Sequence, residues 1–117
     1  MNTVDETMEL KIREFASRLA AAFLNRDLDY IASVCDKIRN GYDMYFENIS
    51  SYPQPLIAPN PMRRDLFWIT KIGGKNEWRV DTFFSLPSGE NSDLDLRITI
   101  KERQTNLVAD VEDILVP

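Results

Sequence analysis

The chain has 117 residues, a formal net charge of −5 and a single cysteine. That is enough for one domain with its own core and excludes a disulfide-stapled scaffold. The acidic balance disfavours nucleic acid as a partner, and 44% hydrophobic residues disfavour disorder.

The chain starts acidic, "MNTVDETMEL", without the basic-then-apolar order of a signal peptide. Its apolar runs are too short for a membrane helix, and a lone Cys35 fits a reducing cytosol. A cytosolic protein is therefore expected.

Thr3 and Glu6 form a capping-box pair, and Met8, Ile12, Phe15, Ala16, Leu19 and Phe23 recur at helical spacing, predicting a helix over residues 4–24. Leu28, Ile31, Val34, Cys35 and Ile38 predict a second helix over 28–39, ended by Asn40–Gly41. Tyr42, Tyr45, Phe46 and Ile49 predict a third over 42–50. "SSYPQPLIAPNP" is too rich in proline for helix or central strand. It reads as a crossing loop with a short edge strand near Leu56–Ile57.

Four strands follow, over residues 65–72, 77–86, 92–102 and 106–116. The connections are short, with Gly73–Gly74 between the first two, "PSGEN" next and a tip at Arg103–Gln104. This implies an antiparallel meander. The hairpin register at Gly73–Gly74, and with it the side taken by Phe67 and Trp68, stays open. The expected fold is α+β: three N-terminal helices packed on a curved antiparallel sheet of about four strands, in one domain over 1–117.

Leu94, Leu96, Ile98 and Ile100 alternate with Asp93, Asp95, Arg97, Thr99 and Lys101. Apolar residues placed opposite one another pair Val80 with Ile98 and Ile98 with Ala109. The other face then carries Asp81 opposite Arg97, Arg97 opposite Asp110, and Asp95 beside Glu112. Like charges directly opposite are destabilising. The face therefore reads either as a solvated surface or as a landing site for a basic partner, with Asp81, Asp93, Asp95, Asp110 and Glu112 as the contacts.

Catalytic signals are few. The chain has no histidine, no phosphate-binding glycine loop and no nucleophile elbow. No metal site and no cofactor are expected. Tyr30, Asp43, Tyr45 and Trp68 are the candidates for lining a cavity between helices and sheet, in an alternative reading as a small-ligand binder or enzyme.

The order of elements resembles the NTF2-like (SnoaL-like) superfamily. The likeness is carried by Trp78-Arg79-Val80, Gly89, the run Ser92-Asp93-Leu94-Asp95-Leu96-Arg97-Ile98-Thr99, and Asp113-Ile114-Leu115-Val116. It resembles a small bacterial branch akin to NTF2-fold immunity proteins. The resemblance implies a cone-like fold and a cytosolic, non-enzymatic protein that binds and blocks a cognate bacterial toxin, such as a basic nuclease. A homodimeric adaptor is the third reading, since domains of this fold often dimerise through the sheet.

Overall fold

Helix α1 spans Glu6–Leu24, and its stripe of Ile12, Phe15, Ala16, Leu19 and Phe23 is buried. The structure is a computed structural model, and it describes residues 6–117. Thr3 of the capping box lies outside the described residues. Glu6 and Glu9 occupy the first turn, where negative charge suits the helix dipole. The helix stops because Arg26 adopts a left-handed φ of 54°. The Asp27 and Arg26 N–H groups then return to the Ala22 and Phe23 carbonyls, closing the C-terminal turn. Asp27 next caps α2 (Leu28–Val34), its carboxylate accepting from the Tyr30 N–H at 3.2 Å.

The predicted second helix is too long. Cys35–Ile38 form a strand, β1, parallel to the last strand of the sheet. Apolar residues at 31, 34, 35 and 38 satisfy a helical stripe, yet so short a run does not discriminate helix from edge strand. Pairing with Ala109–Val111 decides it, because it satisfies the backbone groups along that sheet edge. Asn40 and Gly41, at φ 71° and 82°, turn the chain into α3 (Tyr42–Ser50). Tyr45 and Phe46 of α3 pack on Phe23, the Tyr45 ring edge-on at 6.0 Å.

The proline-rich segment crosses the molecule as expected. Ile57 exchanges two backbone hydrogen bonds with Ser85, the short edge pairing foreseen near Leu56–Ile57. Ser17 Oγ donates to the Pro59 carbonyl at 2.7 Å, and Arg13 donates to the Pro61 carbonyl, so α1 holds the crossing in place. A 3-10 turn, Arg64–Leu66, delays the next strand by two residues relative to expectation.

The remaining strands are β2 (Phe67–Lys71), β3 (Glu77–Ser85), β4 (Asn91–Arg103) and β5 (Asn106–Leu115). They form the expected antiparallel meander. With β1 added, the sheet is mixed and five-stranded, ordered β1-β5-β4-β3-β2. Three helices with this sheet make an α+β fold. The helices cover one sheet face. Trp78, Val80, Thr82 and Phe84 of β3, Leu94, Leu96, Ile98 and Ile100 of β4, and Ala109, Val111 and Ile114 of β5 are buried on the core side. Among the described residues, no helix is long and apolar enough to cross a membrane.

Candidate docking face on the outer sheet surface

Alternation along β3 and β4 turns the second set of side chains away from the helices. Register aligns them. Val80 pairs with Ile98, Thr82 with Leu96 and Asp81 with Arg97, as the apolar pattern predicted. Trp68 of β2 lies opposite Asp81. The outer face therefore carries a row running Trp68, Asp81, Arg97 and, on β5, Asp113. Phe83 and Asp95 stand side by side in the next row.

The β4–β5 pairing departs from expectation. Ile98 faces Val111, Ile100 faces Ala109, Thr99 faces Asp110 and Arg97 faces Asp113, with a bulge at Glu112. The turn is centred one residue later than expected, since Arg103 pairs with Asn106 around a two-residue loop whose Gln104 has φ 58°. Moving the turn by one residue slides the strands by two, and the bulge at Glu112 adds a third residue beyond it. Side chains keep their faces under a slide of two, so alternation between the turn and the bulge does not separate the two registers, while beyond the bulge Ile114 turns inward and Asp113 outward. The predicted Arg97–Asp110 and Asp95–Glu112 pairings are thereby corrected. Asp95 stands opposite Phe83 and Leu115 instead.

The acids of the face are ion-paired rather than bare. Asp95 is only 3% exposed. Its Oδ2 accepts from Arg97 Nε at 2.9 Å, while its Oδ1 is buried without a hydrogen-bond partner. Burial pushes the Asp95 carboxyl above the ordinary carboxylate range, the nearby Asp81 and Asp113 charges add to this, and Arg97 opposes it. Arg97 also pairs with Asp81 at 3.7 Å. Glu112 accepts from Thr99 Oγ1 at 3.2 Å and pairs with Arg39 at 3.3 Å. Lys101 bridges Asp36 and Asp110 at 3.1 and 3.2 Å, and Arg103 adds a contact to Asp36 at 2.5 Å. The hydrogen bond from Lys101 is the main cause that holds the Asp36 carboxyl below its usual range.

Asp93 stands apart from this network. It accepts from the Tyr52 hydroxyl at 2.6 Å, in an open groove with Asn48, Pro53 and Val116. Four of the five predicted contacts, Asp81, Asp95, Asp110 and Glu112, thus share the sheet face, each held by a cation of the same chain.

The sequence reading missed the aromatic part of the face. Trp68 is 52% exposed and meets Phe83 edge-to-face at 5.9 Å. Phe83 was legible: with Trp78, Val80, Thr82 and Phe84 inward, its parity sends it outward. Trp68 was not legible, because it needed the Gly73–Gly74 hairpin register. That register pairs Lys71 with Trp78, so Phe67 is buried and Trp68 faces out.

The alternative cavity does not assemble. Tyr45 is fully buried in the core, its phenol pushed up to about 12 by burial and, next, by the Asp113 charge. Asp43 lies exposed on the first turn of α3. Tyr30 lines a shallow groove with Phe15, Val34 and Leu107, and Trp68 is on the opposite sheet face. The space between helices and sheet is occupied by Ile12, Leu19, Phe23, Tyr45, Phe84 and their neighbours. Cys35 is a poor nucleophile, its thiol pushed up to about 12 by burial first and then by Asp110 and Asp36. Among the described residues, no group of His, Cys, Asp and Glu side chains could hold a metal ion.

No family model, curated protein or solved structure matches the chain. The reading of this face rests on its chemistry. The face brings together an exposed indole braced by a second ring, a half-exposed arginine and one buried carboxylate, residue types enriched where proteins bind one another. The acid–arginine pairs at its border have half-exposed or more exposed guanidinium groups, and charges so placed act on orientation and association rate more than on affinity.

Proposed function

We propose that the protein is a non-enzymatic binding module that blocks a cognate bacterial toxin in the cytosol, and that it docks through the outer sheet face. Trp68 is the anchor. Arg97, held between Asp95 and Asp81, is the orienting charge. The observation that carries this reading is the half-exposed Trp68 seated on Phe83 beside that triad. With the half-buried Phe83 the indole forms a contiguous apolar patch, unlike surface hydrophobic side chains scattered singly. The resemblance to NTF2-like immunity proteins supports the same reading, as does a mostly helical N-terminal half followed by an antiparallel meander.

The acids act differently from the free carboxylates first expected. Because they are already paired, they present fixed dipoles rather than bare negative charge at short range. The net charge of −5 still attracts a basic toxin at long range. Occlusion of the toxin's active site is the mechanism, with no cofactor and no chemical step on this chain.

Co-expression tests the proposal. The chain is produced together with toxin domains encoded in neighbouring reading frames of the native host, and growth is scored. The intact protein is expected to restore growth. Trp68→Ala and Arg97→Ala are expected to abolish protection while the purified variants keep their fold. Asp93→Ala, outside the network, is expected to protect fully. Protection that survives both the Trp68 and Arg97 changes would remove this face from consideration.

A further inference from the structure

We infer that β2 is a self-complementary edge through which two copies of the chain pair antiparallel about a two-fold axis at Ile69. This goes beyond the toxin-blocking reading and does not depend on it, although the dimer engages the same Trp68 indole and so competes with a toxin for it.

β2 stands at the end of the sheet, with β3 as its only strand neighbour among the described residues. The Ile72 N–H donates to the Glu77 carbonyl at 2.9 Å. Antiparallel ladders alternate, so Thr70–Arg79 and Trp68–Asp81 are the next hydrogen-bonded pairs. The backbone groups of Phe67, Ile69 and Lys71 then point away from β3. One of these groups is already used, since the Phe67 N–H returns to the Arg64 carbonyl in the preceding turn. What remains is the N–H and C=O of Ile69, the N–H and C=O of Lys71, and the C=O of Phe67.

That inventory fits a two-fold axis at Ile69. Ile69 and its copy exchange N–H and C=O. Each Lys71 N–H meets the Phe67 carbonyl of the other chain, which is the free half of Phe67. The reverse bond, from Phe67 N–H to Lys71 C=O, is not required, and that N–H is the spent one. An axis at Thr70, exchanging Ile69 with Lys71 in both directions, would form as many backbone bonds, so the side chains decide between the two.

Side chains agree with the same axis. Trp68 falls opposite Thr70 of the second copy at a non-hydrogen-bonded position, where facing side chains come closest. Both are exposed in the single chain. Arg79 lies directly behind Thr70, is exposed and has no ion pair among the described residues. Its guanidinium therefore meets the copy's indole, a cation on an electron-rich ring. Such a pairing is isologous and closes on itself as a dimer. It also covers an edge that would otherwise invite uncontrolled strand addition.

Sedimentation velocity over roughly 10 µM to 1 mM chain, the range natural for a small interface, reads the result. The wild type is expected to shift with concentration toward twice the 13.6 kDa chain mass. Ile69→Pro removes the central donor without touching a bond to β3 and is expected to be monomeric throughout. A second measurement does not rely on that variant folding. In a Cys35→Ser background, Ile69→Cys is expected to cross-link to its copy under mild oxidation, since hydrogen-bonded partners sit ~5.5 Å apart, within disulfide reach. Thr70→Cys, diagonal to its own copy at ~7–8 Å, is expected not to. A wild type that stays monomeric, an Ile69→Pro chain that still dimerises, or equal cross-linking at both positions would overturn the inference.

Discussion

Asp95 concentrates the chemistry of the outer face. Its carboxylate is buried, one oxygen has no partner, and its pKa is raised by burial more than by any charge. The sign of its effect on stability follows. Because the folded chain holds this proton more tightly than the unfolded chain, Asp95 weakens the fold as pH rises from the ordinary carboxylate pKa through its raised folded value. At neutral pH the charged form is a cost. Asp95→Asn keeps an oxygen for Arg97 and removes that cost, and Arg97 is not orphaned because Asp81 remains beside it. The variant is expected to match or exceed the wild type in stability by up to ~1 kcal/mol at pH 7. The difference should vanish at pH values below the carboxylate range. Urea melts at a series of pH values would check this. A wild type more stable than Asp95→Asn at neutral pH would show that the Arg97 bond outweighs burial. If the substitution stabilises the isolated chain while weakening protection in co-expression, the carboxylate serves binding and not folding.

Among the elements, legibility tracked how many physical constraints acted on each stretch. β3 and the first part of β4 were readable because a strict apolar alternation admits one parity, and Val80–Ile98 then sets the register. The stripe of α1 was readable for the same reason at helical period. β1 was hidden, since nothing local separates Cys35–Ile38 from the last turn of a helix, and only the distant β5 edge makes it a strand. β5 was placed on the correct face but two residues out of step up to Glu112, because alternation is blind to even slides, and the bulge there put the remainder three out of step. The candidate docking row was consequently half legible: Asp81 opposite Arg97 emerged from pattern, whereas Asp113 and Trp68 needed turn geometry. Gln104 is where the missing signal lies. It occupies the first position of a two-residue turn at φ 58°, a place that normally calls for glycine. Had glycine stood there, the turn would have been located by eye. Gln104→Gly is expected to relieve this strain and raise stability by ~0.5–1 kcal/mol, measurable as a higher urea midpoint with unchanged slope. An unchanged or lower midpoint would mean that the added freedom of the unfolded chain cancels the relief.

At the scale of the whole molecule, charge and shape divide the work in the proposed association. The helices seal one face of the sheet. The other face is left open, with its own cations matched to its acids so that the isolated fold tolerates the crowding. The surplus of acidic over basic residues, 19 against 14, acts over distances longer than any of these contacts. Field and contact answer to different experimental controls. Raising ionic strength from ~0.01 M to ~1 M shortens the screening length from ~30 Å to ~3 Å, which erases the field and spares an indole in a pocket. Association of the chain with a basic toxin is therefore expected to slow at least tenfold across that range. The dissociation rate should change little in the same series. Trp68→Ala should show the complementary pattern, with near-normal association and much faster release, because most contact energy is expressed on leaving. Surface plasmon resonance over a salt series separates the two rates. Association insensitive to salt would mean that the overall charge plays no part in recognition. Release that accelerates with salt as steeply as association slows would place the anchoring energy in exposed ion pairs and not in Trp68.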